Sequence, residues 1–194
     1  SGTFNGPLGE RGPDYDFGSS PQLIRVGGRD ILVTGNKSSI VYAMDPATGK
    51  AVWTTPKLGM GSPAGGVEWS TATDGNGRPC SLARSQNAPR IATCNVPSGL
   101  CRPGYSQAAT AIPGAVFTGA QDGHLRAYSS AGKLLWDFDA TVPHDTVNGV
   151  KGAPGGYLDM GGPTIAGGMM FMHTGYNGSA GASNVLLAFT VDGK

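Results

Sequence analysis

Short apolar runs alternate with turn-forming residues through most of the chain. Residues 21–26, 31–34, 40–44 and 51–54 are rich in β-branched, aromatic and other apolar side chains, a composition that favours strands. Between them stand Gly27-Gly28-Arg29-Asp30 and Asp45-Pro46-Ala47-Thr48-Gly49, where Pro fixes φ and Gly accepts positive φ. The pattern predicts a four-stranded antiparallel unit. Within it, residues 40–53 read as strand, tight turn and strand, a β-hairpin.

That hairpin returns. His124-Leu125-Arg126-Ala127-Tyr128-Ser129-Ser130-Ala131-Gly132-Lys133-Leu134-Leu135-Trp136 repeats it one residue shorter, and residues 184–194 start it again. The Gly-Lys pairs ending at Lys50, Lys133 and Lys194 stand 83 and 61 residues apart. Four-stranded propeller blades run about 40–45 residues, so the first interval spans two blades and the second one blade with a long loop. Runs at 105–112, 115–119, 125–128 and 133–138 predict a further full blade, and those at 158–166, 169–173 and 185–189 predict three strands of a last one. The expected fold is all-β, a β-propeller of four-stranded antiparallel blades. About three to four blades are present, against about 4–8 in closed propellers. Residues 1–13 read as a linker or loop. The partial propeller then covers 14–194, with blades near 14–57, 65–103, 104–140 and 156–194. The second is degraded, with strand character at 91–93, and the last is incomplete. The remaining blades are expected in a longer parent chain or a second chain.

Composition narrows the function classes. Gly contributes 33 and Pro 14 of 194 residues; they fall between apolar runs, as turns of a many-stranded protein do. Charged residues make up 14%, with a net charge of +1 and no basic or acidic block, so the footprint of a nucleic-acid-binding surface is missing. No run approaches the roughly 20 apolar residues of a membrane-spanning helix. Cys80, Cys94 and Cys101 lie close together without a Cys-x-x-Cys spacing or a nearby His. One disulfide plus a spare thiol is expected in place of zinc or covalent haem, and a disulfide implies an oxidising compartment. Asn36-Lys37-Ser38 and Asn177-Gly178-Ser179 match the glycosylation triplet, a motif common by chance.

Residues 43–53 (Ala-Met-Asp-Pro-Ala-Thr-Gly-Lys-Ala-Val-Trp) and 121–128 (Gln-Asp-Gly-His-Leu-Arg-Ala-Tyr) resemble the repeat signature of quinoprotein alcohol dehydrogenases. Residues 12–21, 65–70 and 147–150 are most similar to the polyvinyl-alcohol-dehydrogenase-like branch, and the chain resembles the C-terminal portion of such proteins. The resemblance implies an eight-bladed propeller carrying pyrroloquinoline quinone (PQQ) and Ca²⁺ at its axis, with a small or polymeric alcohol as substrate, an external electron acceptor and a periplasmic or secreted location. A non-catalytic extracellular or periplasmic propeller, acting as a binding or structural module, is the alternative on the same scaffold.

The chemistry so implied needs oxygen ligands for a hard cation, an aromatic face for a flat quinone and a proton acceptor for the alcohol. Segments leading into the innermost strands line a propeller axis, so candidates are sought there: Asp14 and Asp16, Glu68 and Trp69, Tyr105 and Gln107, Tyr157 and Asp159. Asp16 is assigned as the base and Glu68 and Asp14 as metal ligands. Trp69, Gln107 and Asp159 are assigned to the cofactor, Trp69 by stacking. Trp53 and Trp136 occupy repeat-equivalent positions and are expected to dock in the core. His124 (in a turn), His144 and His173 are expected to be structural or exposed, and Arg126 to lie on a blade surface. Asp145 and Asn148 fall in a loop able to cover the axis.

Overall fold

The structure is a computed structural model and describes residues 15–56, 66–67, 69–73, 79–80, 107–159, 161–175, 183 and 185–193. Two four-stranded antiparallel sheets are complete. The first runs β1 (Gln22–Val26), β2 (Arg29–Gly35), β3 (Val41–Met44) and β4 (Ala51–Thr54), each beside the next. Another has the same order with β7 (Thr110–Ile112), β8 (Ala115–Gly119), β9 (His124–Ser129) and β10 (Leu134–Asp139). Between them lies a two-stranded piece, β5 (Ala72–Thr73) with β6 (Pro79–Cys80). Last comes a three-stranded sheet, β11 (Thr164–Ala166), β12 (Met169–His173) and β13 (Leu186–Phe189).

The first strands of successive sheets are neighbours, which gives the assembly its axis. The Thr71 hydroxyl donates to Gln22 Oε1 at 3.1 Å, joining the start of β5 to β1. β5 lies beside β7. The Thr110 hydroxyl donates to Pro163 O at 2.6 Å, joining β7 to the approach of β11. The fourth strands β4 and β10 are largely exposed. First strands gathered and last strands splayed is blade geometry, and the fold is an all-β propeller of four-stranded antiparallel blades.

Neither face of such a sheet can stay bare, and the cores lie between sheets. Ile24, Val33, Val41 and Ala43 bury themselves with Val67 from the following segment, with Trp53 alongside. Leu125, Ala140, Leu158, Met170, Met172, Leu187 and Phe189 form the larger core, against which Phe117, Trp136 and Phe138 pack. Phe189 meets Phe138 edge-on at 4.8 Å and Trp136 at 5.3 Å, arrangements worth about 0.5–1.5 kcal/mol each beyond their area burial. Both tryptophans thus dock as their repeat positions predict.

The repeat turn has a specific chemistry. Asp45 Oδ1 accepts from the Ala47 and Thr48 amides, both at 2.9 Å, and from the Thr48 hydroxyl at 3.1 Å. Gly49 N donates to Asp45 O at 2.8 Å with φ at 70°. In the shorter copy, Ser129 Oγ accepts from Lys133 N and Gly132 N donates to Ser129 O.

Several local expectations are corrected. The turn after β1 is only Gly27-Gly28, because Arg29 and Asp30 already pair with Val26 and Arg25. The run at 158–166 becomes strand only from Thr164, since Gly161-Gly162-Pro163 interrupts it and Pro has no amide to donate. The run at 105–112 is strand from Thr110, with Gln107 in an isolated bridge. His124 opens β9 instead of sitting in a turn. Arg126 is buried, contrary to the surface position expected, because both faces of β9 are covered. Its guanidinium is held there by two carboxylates: Nη2 and Nη1 donate to Asp122 at 2.7 and 3.2 Å, and Nε donates to Asp137 at 3.1 Å. Asp137 also meets His124 Nδ1 at 2.6 Å. The strand expected at 91–93 lies outside the described residues.

Two expectations follow. A Cβ at Gly119 would run into Leu158, whose Cδ1 lies 2.8 Å from that position, and into the Gln107 amide. Gly119→Ala should therefore destabilise by about 1–3 kcal/mol, the cost of overpacking, read as the urea midpoint. Asp45 has a carboxyl held below its ordinary value by the Thr48 amide first and the Thr48 hydroxyl next. A depressed carboxyl contributes stability that is present above its unfolded value and is lost as pH falls through the folded one. Asp45→Asn should accordingly flatten the loss of stability in acid below about pH 4, measured by urea titration at several pH values.

Candidate functional site

Two hydrogen bonds recur at the inner rim of the sheets. A Thr-Gly pair ends β2 (Thr34-Gly35) and β8 (Thr118-Gly119). Thr34 Oγ1 donates to Ser19 O at 3.4 Å, and Thr118 Oγ1 donates to Gln107 O at 3.2 Å. Ser19 and Gln107 are therefore equivalent positions. The residue after each pair then takes the amide of the next sheet's approach segment: Val67 N donates to Asn36 O at 3.1 Å, and Leu158 N to Ala120 O at 3.4 Å. Val67 and Leu158 are equivalent in turn, so Glu68 and Asp159 share one sequence position. A third Thr-Gly pair, Thr174-Gly175, follows β12, and the extended β11–β12 register sets Thr174 opposite Gly161; Asp159 lies two residues before that partner, as Ser19 lies before Pro21 opposite Thr34 and Gln107 before Ala109 opposite Thr118. Ser19, Gln107 and Asp159 each stand at this position in their sheets.

The glycines of both pairs make this approach possible. A Cβ on Gly35 would strike Val67, as one on Gly119 would strike Leu158 and Gln107. Ser19 Oγ donates to Val67 O at 3.2 Å, tying the first approach segment to the second.

Gln107 is buried, 3% exposed. Its Nε2 donates to Met172 Sδ at 3.4 Å, a weak acceptor, and its buried Oε1 has no hydrogen-bond partner among the described residues. Such an orphan costs about 1–3 kcal/mol and marks a position that a donor or cation relieves. Trp69 is partly buried, and its Nε1 is a second buried atom without a partner among the described residues. Asp159 is half-buried directly after Leu158, which lies against Gly119 beside the Gln107 amide.

Asp16 belongs to a different pair. It is exposed, its carboxylate meets Lys37 Nζ at 2.9 Å, and its carbonyl accepts from Lys37 N at 3.2 Å. The Lys37 side chain is 12% exposed. Beside them Asn36 Nδ2 donates to Tyr15 O at 3.3 Å. The amide nitrogen of the first glycosylation triplet is thus engaged inside the fold; Asn177 lies outside the described residues. Lys37 carried no signal in the sequence, because its partner is 21 residues away in a segment without repeat character.

Asp14, Glu68, Tyr105, Cys94 and Cys101 also lie outside the described residues. Of the other candidates, Tyr157 is buried with its carbonyl accepting from Gly175 N at 2.9 Å. His144 stacks on Phe138 at 6.1 Å, and His173 is exposed at the end of β12. Among the described residues, no three His, Cys, Asp or Glu side chains cluster as a metal site. None of the helices long and apolar enough to cross a membrane occurs among them either.

Comparison with known proteins places this geometry in a lineage. The PQQ_2 family, described as outer membrane protein assembly factor BamB, matches residues 37–194. A polyvinyl alcohol dehydrogenase of Pseudomonas sp. is 41% identical over 94% of the chain, and one of Sphingopyxis sp. (strain 113P3) is 36% identical over 94%. The chain spans 34% of the length of each. Among solved structures, BamB from Moraxella catarrhalis is similar with a TM-score of 0.48 and 16% identity, over 92% of this chain and 51% of that one. Quinohemoprotein alcohol dehydrogenase from Comamonas testosteroni is similar with a TM-score of 0.36 and 20% identity, over 82% and 17%. The family match covers most of the chain, and with the dehydrogenase relatives it leads to one conclusion: the chain belongs to the PQQ-type β-propeller family, on its polyvinyl-alcohol-dehydrogenase-like branch.

Proposed function

We propose that this chain is part of a quinoprotein dehydrogenase that oxidises alcohols, small or polymeric. The observation that carries the reading is the 41% identity to a polyvinyl alcohol dehydrogenase across 94% of the chain. The other blades come from a longer parent chain or a second chain. A periplasmic or secreted location belongs to the same reading, and with it a disulfide among Cys80, Cys94 and Cys101.

The side chains suit PQQ and Ca²⁺. Gln107 offers an amide oxygen without a partner among the described residues, and Asp159 a carboxylate at the equivalent position; both are assigned to the quinone. Glu68 and Asp14 supply the carboxylate oxygens that calcium takes. Trp69 offers an aromatic face for the quinone. When bound, the quinone supplies the hydride acceptor. The chain's own residues hold and orient the alcohol, and Asp16 takes its hydroxyl proton from a position fixed by Lys37.

A second reading, a non-catalytic binding or structural propeller, draws support from the description of the matching family as an assembly factor. Quinone retention separates the two. The intact protein, loaded with PQQ and Ca²⁺, should keep the quinone through gel filtration and release it to a calcium chelator. Trp69→Ala should weaken that retention by about tenfold or more with an unchanged thermal midpoint. Asp16→Asn should keep the quinone and lower dye-linked alcohol oxidation by about 10²–10⁴-fold. Folded protein that retains no quinone overturns the dehydrogenase reading in favour of the binding module.

A further inference from the structure

The Thr-Gly pairs align the faces of the sheets with one another. Leu32, Val116 and Met172 stand two residues before Thr34, Thr118 and Thr174, and pair across with Met44, Tyr128 and Leu187. Val33, Phe117 and His173 stand one residue before, and pair with Ala43, Ala127 and Leu186. Neighbouring residues of a strand point to opposite faces. The first set therefore marks one face of each of these three sheets, the leading face, and the second set marks the trailing face. The seams join unlike faces. Phe117, with Leu125, Trp136 and Phe138 of its trailing face, packs with Met172 and Leu187 on the leading face of the next sheet. Val33 and Ala43 of the first trailing face pack with Val67 of the segment that follows.

Equivalent positions differ in burial at the first and last sheets. On the leading face, Val116, Tyr128, Met172 and Leu187 are all buried, whereas Leu32 and Met44 of the first sheet are only partly so. Leu23, paired with Leu32, is 63% exposed. On the trailing face, Val33, Ala43 and Ala127 are buried, whereas in the last sheet Leu186 is 69% exposed and its partner His173 is exposed too. Arg25 and Asp30 stand beside Leu23 and Leu32 on the first leading face and pair with each other at 3.5 Å, so that face presents hydrocarbon without net charge. The exposed leading face and the exposed trailing face are the two halves of a seam that this chain builds inside itself.

We propose that two copies of this chain associate head to tail, the trailing face of each last sheet seated on the leading face of the other copy's first sheet. A partner must offer a leading face to Leu186 and a trailing face to Leu23, and a second copy offers both at once. Such a contact is heterologous, and it ends in a closed ring when the rotation allows. Two copies bring eight sheets, within the range of about 4–8 found in closed propellers. Both seams then form together, and the rim residues Ser19, Gln107 and Asp159 of the two copies surround one axis. The association rests on the repeat geometry and is independent of the dehydrogenase reading.

The test is sedimentation equilibrium of the intact protein over a concentration series, without cofactor. Wild-type protein should run as a dimer. Leu23→Asp and Leu186→Asp, each at an exposed position, should raise the dimer Kd by about tenfold or more with an unchanged thermal midpoint; Leu23→Ser and Leu186→Ser replace either one that fails to fold. Mixing the two variants restores one unaltered seam, so the mixture should associate more tightly than either variant alone. Wild-type protein that stays monomeric throughout overturns the proposal and assigns both faces to sheets of its own chain. Loss of the dimer on changing Leu23 alone, or Leu186 alone, overturns it in favour of like faces meeting. A dimer that needs both faces yet retains no quinone removes the dehydrogenase reading and leaves the association standing.

Discussion

The structure depends on one constraint: a four-stranded sheet has two faces and cannot cover either by itself. Every buried cluster here is built between one sheet and whatever follows it, Val67 against the first sheet and Leu187 and Phe189 against β8 to β10. Stability therefore lives at the seams, where apolar burial contributes about 25 cal/mol per Å². The seams demand close approach, which Gly35 and Gly119 permit by having no side chain.

That same close approach builds the rim. Once Leu158 has given its amide to the preceding sheet, the next residue has its backbone position fixed. Asp159 follows directly, and the position is shared with Gln107 and Ser19. The scaffold thereby holds polar residues at the inner rim as a by-product of packing. The unpartnered Gln107 oxygen shows the cost of doing so.

Legibility followed the range of the forces involved. The hairpins at 41–54 and 124–139 could be read because their turn chemistry is local, with Asp45 or Ser129 accepting bonds from amides two to four residues away. The shared backbone position of Gln107 and Asp159 could be read because each precedes a first strand. Arg126 could not, since alternation along one strand does not reveal that both faces are covered, nor that Asp122 and Asp137 await the guanidinium there. The Lys37–Asp16 pair and the Ser19–Val67 bond join segments 21 and 48 residues apart, and nothing in a linear reading ranks those partners above others.

The shared rim position has a consequence for how such proteins diversify. Its backbone is set by neighbours on two sheets, while its side chain differs in chemistry from sheet to sheet: a hydroxyl at Ser19, an amide at Gln107 and an acid at Asp159. A lineage can alter its chemistry by exchanging side chains at one backbone position, one sheet at a time, without redrawing the strands.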